Sequence, residues 1–385
     1  MTERLYYSDC YLREFDARVT ETADDGLRVY LDRTGFYPTS GGQPFDLGTL
    51  GGVPVTEIID EEDRIAHVLA APLIGETVHG AIDWDRRYDL MQQHTGQHLL
   101  SAVLEELFGF KTVSVHMGTG ANTVDIATSS VTEAQLATAE ERCFEIIGQT
   151  RPTAITFEDA AAGLRKESTR SGTLRIVSIE GVDRSACGGT HVRSTSEIGL
   201  VLTGKSEKIR GITRIEFVCG NRALRRARAD NQLLVSIART LSLPAEQAPE
   251  RILALTEQNK TLEKERLRLA TEQARREGAE LYWKTVPDAN GLRRVIERGT
   301  IDEGVRNKAQ AFTANEQAVF LAISDDPPSL LLAASQDSGV HAGNVLKAAL
   351  TEAGGRGGGN ATLAQGSVPD AAALEKVVAL LEQRT

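Results

Sequence analysis

Residues 92–100 read QQHTGQHLL, and leucines recur around this stretch at the spacing of one helix face. We predict a helix over residues 88–108, ended by Gly109. His94 and His98 stand four positions apart, so their imidazoles project from the same face about one turn apart and can hold one metal ion. Such an ion needs further ligands, which must come from elsewhere in the chain.

A second motif, ACGGTH at residues 186–191, supplies those ligands. Cys187 offers a thiolate and His191 a third imidazole, and the two glycines between them let the backbone turn tightly enough for both to converge. Zinc suits imidazole mixed with thiolate, whereas magnesium or calcium would demand carboxylates. Either motif alone is often a pair of unrelated surface residues. Together, in a chain with seven histidines, they predict one Zn²⁺ per chain held by His94, His98, Cys187 and His191.

Length and composition are those of a folded protein with several domains. The chain has 385 residues, of which 41% are hydrophobic and 25% charged. It contains no apolar run of about 18 residues and does not begin like a signal peptide, so we expect a cytoplasmic protein without a membrane partner. The cysteines are too scattered for a secreted disulfide framework, and Cys10, Cys143 and Cys219 are expected to be small buried side chains.

The charge distribution leaves two interpretations open. A net charge of −11 argues by itself against a polyanionic partner, because nucleic-acid affinity depends on neutralising phosphates. Basic residues nevertheless concentrate in one region, which is either a solvated face or a local nucleic-acid contact. This region contains Lys205, Lys208, Arg210, Arg214, Arg222, Arg225, Arg226 and Arg228.

The order of apolar runs predicts an α+β chain built of four parts. Short runs separated by glycine, proline and aspartate are typical of a small antiparallel barrel, and strands after a packed helix indicate an α+β layer domain. A helical stretch broken by Pro244 and Pro249 follows, with only a weak heptad pattern. The predicted parts are a β-barrel (1–85), a zinc-containing α+β domain (86–221), a helical hairpin or coiled-coil linker (222–288) and an α/β domain (289–385).

A glycine-rich run, Gly354 to Gly359, lies in the last part. Its spacing matches neither a Walker loop nor a dinucleotide-binding fingerprint. We therefore expect a flexible loop in preference to an anion cradle, and its role stays open.

The ordered motifs carry a resemblance to a known family. TGFYPTSGGQPFD at residues 34–46, followed by HTGQHLL and CGGTH, resembles the editing domain of alanyl-tRNA synthetase and its free-standing relatives, the AlaX proteins. The glycine-rich end is similar to the C-terminal DHHA1 domain of that synthetase. The likeness covers essentially the whole chain and fits the long form best. It implies a hydrolase that acts in trans on alanine tRNA mischarged with serine or glycine.

The resemblance also implies the parts of the site. The four metal ligands would hold zinc at the bottom of an editing pocket faced by Gln43, Gln97 and the strand end Ser114 to His116. Two departures affect specificity: Gln97 stands where the synthetases more often have threonine, and residues 114–116 replace a pocket glutamine. Gln43 could instead be a turn residue, and His116 an ordinary strand-end histidine. The candidates are Gln43, Gln97 and His116 for catalysis, and Thr95, Ser114, Lys205, Lys208 and Arg210 for substrate binding.

The chemistry implied is modest. The ester between an amino acid and tRNA is already labile, so an oriented water and charge relief are the main needs. Zinc with four protein ligands lacks an open position, and whether it activates water or shapes the pocket stays open. Serine could be told from alanine by a buried polar group that awaits its hydroxyl, supplied by Thr95, Gln97 or Ser114.

Three rival functions remain. A synthetase fragment with ligase activity is disfavoured, because the chain starts directly at the predicted barrel. A non-catalytic, zinc-containing tRNA-binding module keeps every motif but would show no turnover. A zinc hydrolase of small molecules would suit the acidic net charge. We also expect that the C-terminal region could mediate a homodimer.

Overall fold

A computed structural model describes residues 1–118, 120–159, 162–166 and 172–384. The chain divides into two compact units, Met1–Ser236 and Ile237–Thr385. The finer boundaries at residues 85, 221 and 288 stay predictions. None of the helices in the described ranges combines the length and the apolar character that crossing a membrane requires.

The first unit begins with a closed antiparallel barrel of six strands. The strands of this region are β1 (Glu3–Arg4), β2 (Glu14–Ala23), β3 (Arg28–Leu31), β4 (Arg33–Thr34), β5 (Gly48–Leu50), β6 (Val53–Glu61), β7 (Arg64–Leu69) and β8 (Thr77–Ile82). The barrel order is β2-β3-β7-β6-β5-β8, and β1 pairs with β4 beside it. Alternate residues point inward, as Phe15 and Ala17 do in β2, because side chains of a strand alternate between its two faces.

A long helix and two antiparallel sheets complete the first unit. These elements are α1 (Trp84–Phe108), β9 (Thr112–His116), β10 (Asn122–Ile126), α2 (Glu133–Gly148), β11 (Thr153–Glu158), β12 (Leu174–Ile179), β13 (Asp183–Ala186), β14 (Val201–Ile209) and β15 (Ile212–Cys219). One sheet has the order β14-β15-β10-β9 and the other β11-β12-β13. The helix α1 starts one turn earlier than predicted, because the Asp83 side chain caps it by accepting from the backbone N–H of Arg86. It ends at Gly109 in the left-handed conformation, as predicted.

The core of this region forms around α1. Leu99, Leu100 and Val103 are fully buried and belong to the same apolar cluster as residues of α2 and of both flanking sheets. Cys10, Cys143 and Cys219 lie in that cluster as free thiols, which confirms the expectation that they are small buried side chains.

The boundary between the two units, at Ser236 and Ile237, falls within the helix α3 (Gly220–Leu241). The elements of the second unit are α4 (Ala248–Lys284), β16 (Arg293–Arg298), α5 (Glu303–Thr313), β17 (Ala318–Asp325), β18 (Pro328–Ala334), α6 (Ala342–Glu352), β19 (Arg356–Gly359), β20 (Leu363–Ser367) and α7 (Ala371–Arg384). The sheet order is β16-β17-β18-β20-β19; in this sheet, as far as the structure describes it, β16 and β17 are parallel and the other neighbours are antiparallel. The helical break predicted near Pro244 and Pro249 is present, since α3 ends before the first proline and α4 carries the second in its first turn.

The glycine-rich run departs from its expectation. Arg356–Gly359 is not a loop but the edge strand β19, which pairs with β20. At Gly357 and Gly359 a Cβ atom would overlap the backbone of β20, so glycine is what allows this close pairing. Outside the sheets, short 3₁₀ helices lie at Leu5–Tyr7, Asp24–Gly26, Thr195–Ile198 and Ala245–Gln247.

Candidate functional site

The two predicted ligand motifs meet in space. The histidine–cysteine cluster consists of His94, His98, Cys187 and His191, and one ligand atom from each lies within 4.8 Å of the others. The Cys187 sulfur lies 3.4 Å from Nε2 of His94 and 3.3 Å from Nε2 of His191. The histidines of α1 are thus joined to the segment that follows β13. This set of atoms can hold a metal ion.

The outer nitrogen of each imidazole contacts a separate acceptor. His94 Nδ1 lies 2.8 Å from Gln43 Oε1, His98 Nδ1 lies 2.7 Å from Asp183 Oδ2, and His191 Nδ1 lies 3.1 Å from Thr95 Oγ1. The Thr95 hydroxyl donates to the Met91 carbonyl, so it accepts from His191. These contacts assign the Nδ1–H tautomer to all three rings and leave each Nε2 lone pair for a metal. Outer acceptors of this kind fix ring orientation in metal sites.

The surroundings of the cluster shift the pKa values of its members in different directions, and a metal that binds His98 would displace a proton from it at neutral pH. Burial would raise the pKa of the Cys187 thiol, but His94 and His191 hold that pKa well below its ordinary value. This shift favours the thiolate, the form that binds metals. Burial lowers the pKa of His191 to about 3. Burial would also lower the pKa of His98, yet its hydrogen bond to Asp183 raises that pKa to about 9.

Gln43 is placed differently from the expectation that it faces the pocket. Its side chain is fully buried, and its Nε2 donates to Thr190 Oγ1 at 2.8 Å. Its Oε1 accepts from the Thr190 backbone N–H at 3.1 Å as well as from His94. The amide is therefore fully used in bracing the cluster, and Gln43 is not among the residues that line the cavity described next.

A cavity of about 550 Å³ opens above the cluster, between the glycine-rich loop of the barrel and the two sheets. His94, His98 and Cys187 lie at its base. Gly42 lets the loop approach β9 closely: a Cβ there would lie 2.9 Å from the Val115 carbonyl oxygen, and its φ of +87° suits glycine.

The candidate pocket residues divide into two groups. Gln97 and Ser114 line the cavity. Gln97 donates from Nε2 to Ser101 Oγ at 2.8 Å, while the Ser114 hydroxyl donates to Asp125 Oδ2 at 2.6 Å. Thr95 is buried against His191 and does not line the cavity. His116 is exposed at the end of β9, also outside the cavity lining, as the strand-end alternative anticipates.

The basic region is partly committed to internal ion pairs. Arg214 pairs with Asp125 at 2.7 Å, and Arg222 pairs with Asp89 at 2.6 Å. Lys205, Lys208 and Arg210 are exposed on the hairpin of β14 and β15, away from the residues that line the cavity. Lys205 contacts Glu207 there. Lys208 and Arg210 form no ion pair with any residue that the structure describes, so they can meet a partner at the hairpin tip.

Two buried arginines that shape the site escaped the sequence analysis. Arg175 donates to the carbonyls of Cys187 at 2.6 Å and Gly189 at 2.9 Å, which fixes the loop that carries the thiolate. Arg87 forms a fully buried ion pair with Asp46 at 2.5 Å, which joins α1 to the glycine-rich motif. The available signals were a lone arginine in the mostly apolar strand β12 and an aspartate at the end of the glycine-rich motif.

Comparisons with known proteins agree with this geometry. A family model described as the threonyl and alanyl tRNA synthetase second additional domain matches residues 174–216, and the DHHA1 domain matches residues 295–385. The chain is 34% identical to the alanyl-tRNA editing protein AlaX-L of Pyrococcus horikoshii, over 96% of this chain and 95% of that protein. It is 28% identical to the alanyl-tRNA editing protein Aarsd1 of Danio rerio, over 98% and 96%. It is 29% identical to the alanine–tRNA ligase of Pyrococcus abyssi, of which it spans 44%.

The match to alanyl-tRNA editing proteins over nearly the full length of both chains places this chain among the hydrolases that act on the ester bond of aminoacyl-tRNA. The additional-domain match contains Cys187 and His191 of the cluster, and the DHHA1 match follows it. Within that class, the chain belongs to the AlaX-type alanyl-tRNA editing proteins, in their long form.

Proposed function

We propose that this chain acts in trans on alanine tRNA mischarged with serine, and more slowly on the glycine ester. The observation that carries the proposal is the cluster at the base of a cavity of about 550 Å³, next to polar side chains that can meet an aminoacyl group. The cavity opens to solvent, so a tRNA end can enter while the rest of the tRNA stays outside.

We assign one Zn²⁺ per chain to the cluster. Its support is the donor set: three Nε2 atoms and one thiolate suit zinc better than magnesium or calcium. Held by His94, His98, Cys187 and His191, zinc would supply positive charge beside the cavity. The protein itself must then orient the water and the ester, which is sufficient for a labile bond.

Selection of serine is assigned to Gln97. Of the three residues considered for this role, Thr95 is committed to His191 and the Ser114 hydroxyl to Asp125. Gln97 binds Ser101 through Nε2, which leaves its Oε1 to accept from a serine hydroxyl in the cavity. Alanine would leave this oxygen without that partner, and buried polar groups discriminate in this way.

Two further parts of the proposal concern the whole molecule. Lys205, Lys208 and Arg210 are assigned to tRNA phosphates, on the basis of their exposed positions. A homodimer through the C-terminal region is supported by apolar side chains that α4 exposes, such as Leu253 at 69% and Leu267 at 60%. Light scattering at several protein concentrations tests the dimer.

The deciding experiment is hydrolysis of Ser-, Gly- and Ala-esters of alanine tRNA by the purified protein. We expect fast release of serine, slower release of glycine and very slow release of alanine. The Cys187→Ala variant should lose activity on all three. Absence of turnover together with retained tRNA binding would favour a non-catalytic binding module instead.

A further inference from the structure

The outer part of the cavity differs in character from its base. Phe157 and Val113 line it although 54% and 45% of their surfaces are exposed. Lys166 lines it too, and its side chain is exposed. An aromatic ring, an aliphatic side chain and a cation therefore share one opening. Single exposed apolar residues are common on proteins, so their shared position needs a further argument.

The sheet register fixes how far Phe157 lies from the cluster. The Cys187 backbone N–H donates to the Arg175 carbonyl at 3.0 Å, and Arg175 is the direct partner of Phe157 across β11 and β12. Phe157 thus lies two strand spacings from Cys187, or about 10 Å. Residues directly opposite each other in an antiparallel pair share a face, and both Arg175 and Phe157 line the cavity. This separation is about the width of one nucleoside.

Lys166 brings a charge to the same opening. Its Nζ donates to the Val113 carbonyl at 3.3 Å, so it reaches from the 162–166 segment to β9. Two other cations of the cavity are in ion pairs, Arg165 with Asp183 at 2.6 Å and Arg4 with Asp60 at 2.7 Å. A third, Arg175, is buried and donates to the carbonyls of Cys187 and Gly189. No described carboxylate forms an ion pair with Lys166. Its charge is therefore available to an anion from outside.

We propose that Phe157, Val113 and Lys166 form a base slot for the 3′-terminal nucleotide of the aminoacyl-tRNA. The base stacks on the Phe157 ring with Val113 beside it, Lys166 meets the backbone phosphate, and the ester reaches the cluster. This inference rests on the proposed function, because an ester of tRNA is what places a nucleotide one sugar away from the reacting bond. Aromatic stacking combined with a nearby cation is how proteins hold single-stranded ends.

The first test measures KM and kcat for Ser-tRNA with Phe157→Ala, Phe157→Tyr and the matched control Phe144→Ala. Phe144 is 64% exposed on α2 and does not line the cavity. We expect the alanine variant at 157 to raise KM about tenfold, the loss typical of one stacked base, with kcat nearly unchanged. The tyrosine variant and the control should behave like the unmodified protein. An unchanged KM for Phe157→Ala overturns the slot.

A second test removes the base instead of the ring. Ser-tRNA with an abasic terminal ribose should show the raised KM with the unmodified protein and no further rise with Phe157→Ala. If Phe157→Ala raised KM by the same factor for intact Ser-tRNA and for the abasic substrate, the two changes would be independent and stacking would be overturned. Lys166→Gln should lower the slope of log tRNA affinity against log salt by about one. An unchanged slope overturns the phosphate contact.

Failure of the slot can be told from failure of the proposed function. Calorimetry measures binding of the non-hydrolysable analogue in which serine is joined by an amide to 3′-amino-3′-deoxyadenosine. If the unmodified protein hydrolyses Ser-tRNA, but Phe157→Ala and the unmodified protein bind the analogue equally well, the slot is wrong and the proposed function stands. The opposite outcome is also distinct. If the unmodified protein hydrolyses none of the esters, but Phe157→Ala binds the analogue more weakly than the unmodified protein does, the proposed function is wrong and the slot stands.

Discussion

His94 Nδ1 lies 2.8 Å from Gln43 Oε1, although the two residues are 51 positions apart. One belongs to α1 and the other to the glycine-rich loop of the barrel. The same Gln43 oxygen also accepts from the Thr190 backbone, in the CGGTH motif. One amide therefore couples three segments that would otherwise be free to move relative to the metal ligands.

Replacing Gln43 should weaken metal binding. In Gln43→Ala the His94 ring loses its outer acceptor, and changes of this kind typically lower metal affinity by about 10- to 100-fold. Competition with a chromophoric chelator measures the effect. The exposed Gln149→Ala serves as the control and should bind normally. Equal affinities for both variants would show that the contact does not orient His94.

The unmodified protein should contain close to one zinc per chain. Elemental analysis after purification without added metal measures this content. Because three imidazoles and one thiolate share the ion, Cys187→Ala combined with His191→Ala should abolish it. Less than about half an equivalent in the unmodified protein would contradict the assignment.

Stability of the first unit should fall as the solution becomes acidic, partly because of His67. Burial lowers the pKa of His67 to about 4, and its Nε2 accepts from the Thr34 hydroxyl at 2.8 Å. The unfolded chain takes up this proton near pH 6.5, so the stabilisation is complete above that value and is lost as pH falls towards 4. Between pH 7 and pH 5 the loss is about 2 kcal/mol.

The His67→Gln variant isolates this contribution, since it cannot titrate in that range. Denaturant unfolding at both pH values should show that the stability advantage of the unmodified protein shrinks by about 2 kcal/mol at the lower pH. A difference that does not depend on pH would mean that His67 has the same pKa in the folded and in the unfolded chain.

Gln97→Ala should reduce the selectivity for serine. A pocket that reads a hydroxyl can reach about 10⁴-fold, whereas a pocket that selects by size manages about 10- to 200-fold. The ratio of kcat/KM for Ser-tRNA and Ala-tRNA should therefore fall into the lower range in the variant. Gln97→Thr keeps a hydrogen-bonding group, so its ratio should stay higher than that of Gln97→Ala. If Gln97→Ala kept the full ratio, another residue would read the hydroxyl.

Neutralising Lys208 and Arg210 together should reduce the salt dependence of tRNA binding. If both meet phosphates, the slope of log affinity against log salt falls by about two. Lys260→Gln removes an exposed lysine bonded to Glu257 on α4 and should leave the slope nearly unchanged. If the double variant, the Lys260→Gln variant and the unmodified protein all showed the same slope, the hairpin tip would not contact tRNA phosphates.

Local patterns explain what the sequence could predict. The histidine pair depends on helix periodicity, and the stop at Gly109 is local as well. The start of the helix was predicted one turn too late, because the cap at Asp83 was not recognised. The contact of His98 with Asp183 joins residues 85 positions apart, and no local period reports it. Gln43 was recognised as important by resemblance, but only the packing of the loop against α1 decides which way its amide faces.

The strand β19 shows the opposite limit. Three consecutive glycines are typical of a loop when they are considered alone. They form a strand because β20 lies so close that any side chain at Gly357 or Gly359 would collide with it. The close approach of β20 is a property of the tertiary fold, and it overrides the local preference of glycine for loops.

The outer acceptors of the three histidines come from the barrel loop at Gln43, from α1 at Thr95 and from β13 at Asp183. Such a site cannot exist until barrel, helix and sheet have assembled. An ion that binds there therefore stabilises the folded state and not partly folded states. Its binding free energy is then shared by every element that the site joins. A chelator would act as a denaturant of the first unit, and metal supply would set how long newly made chains survive proteolysis.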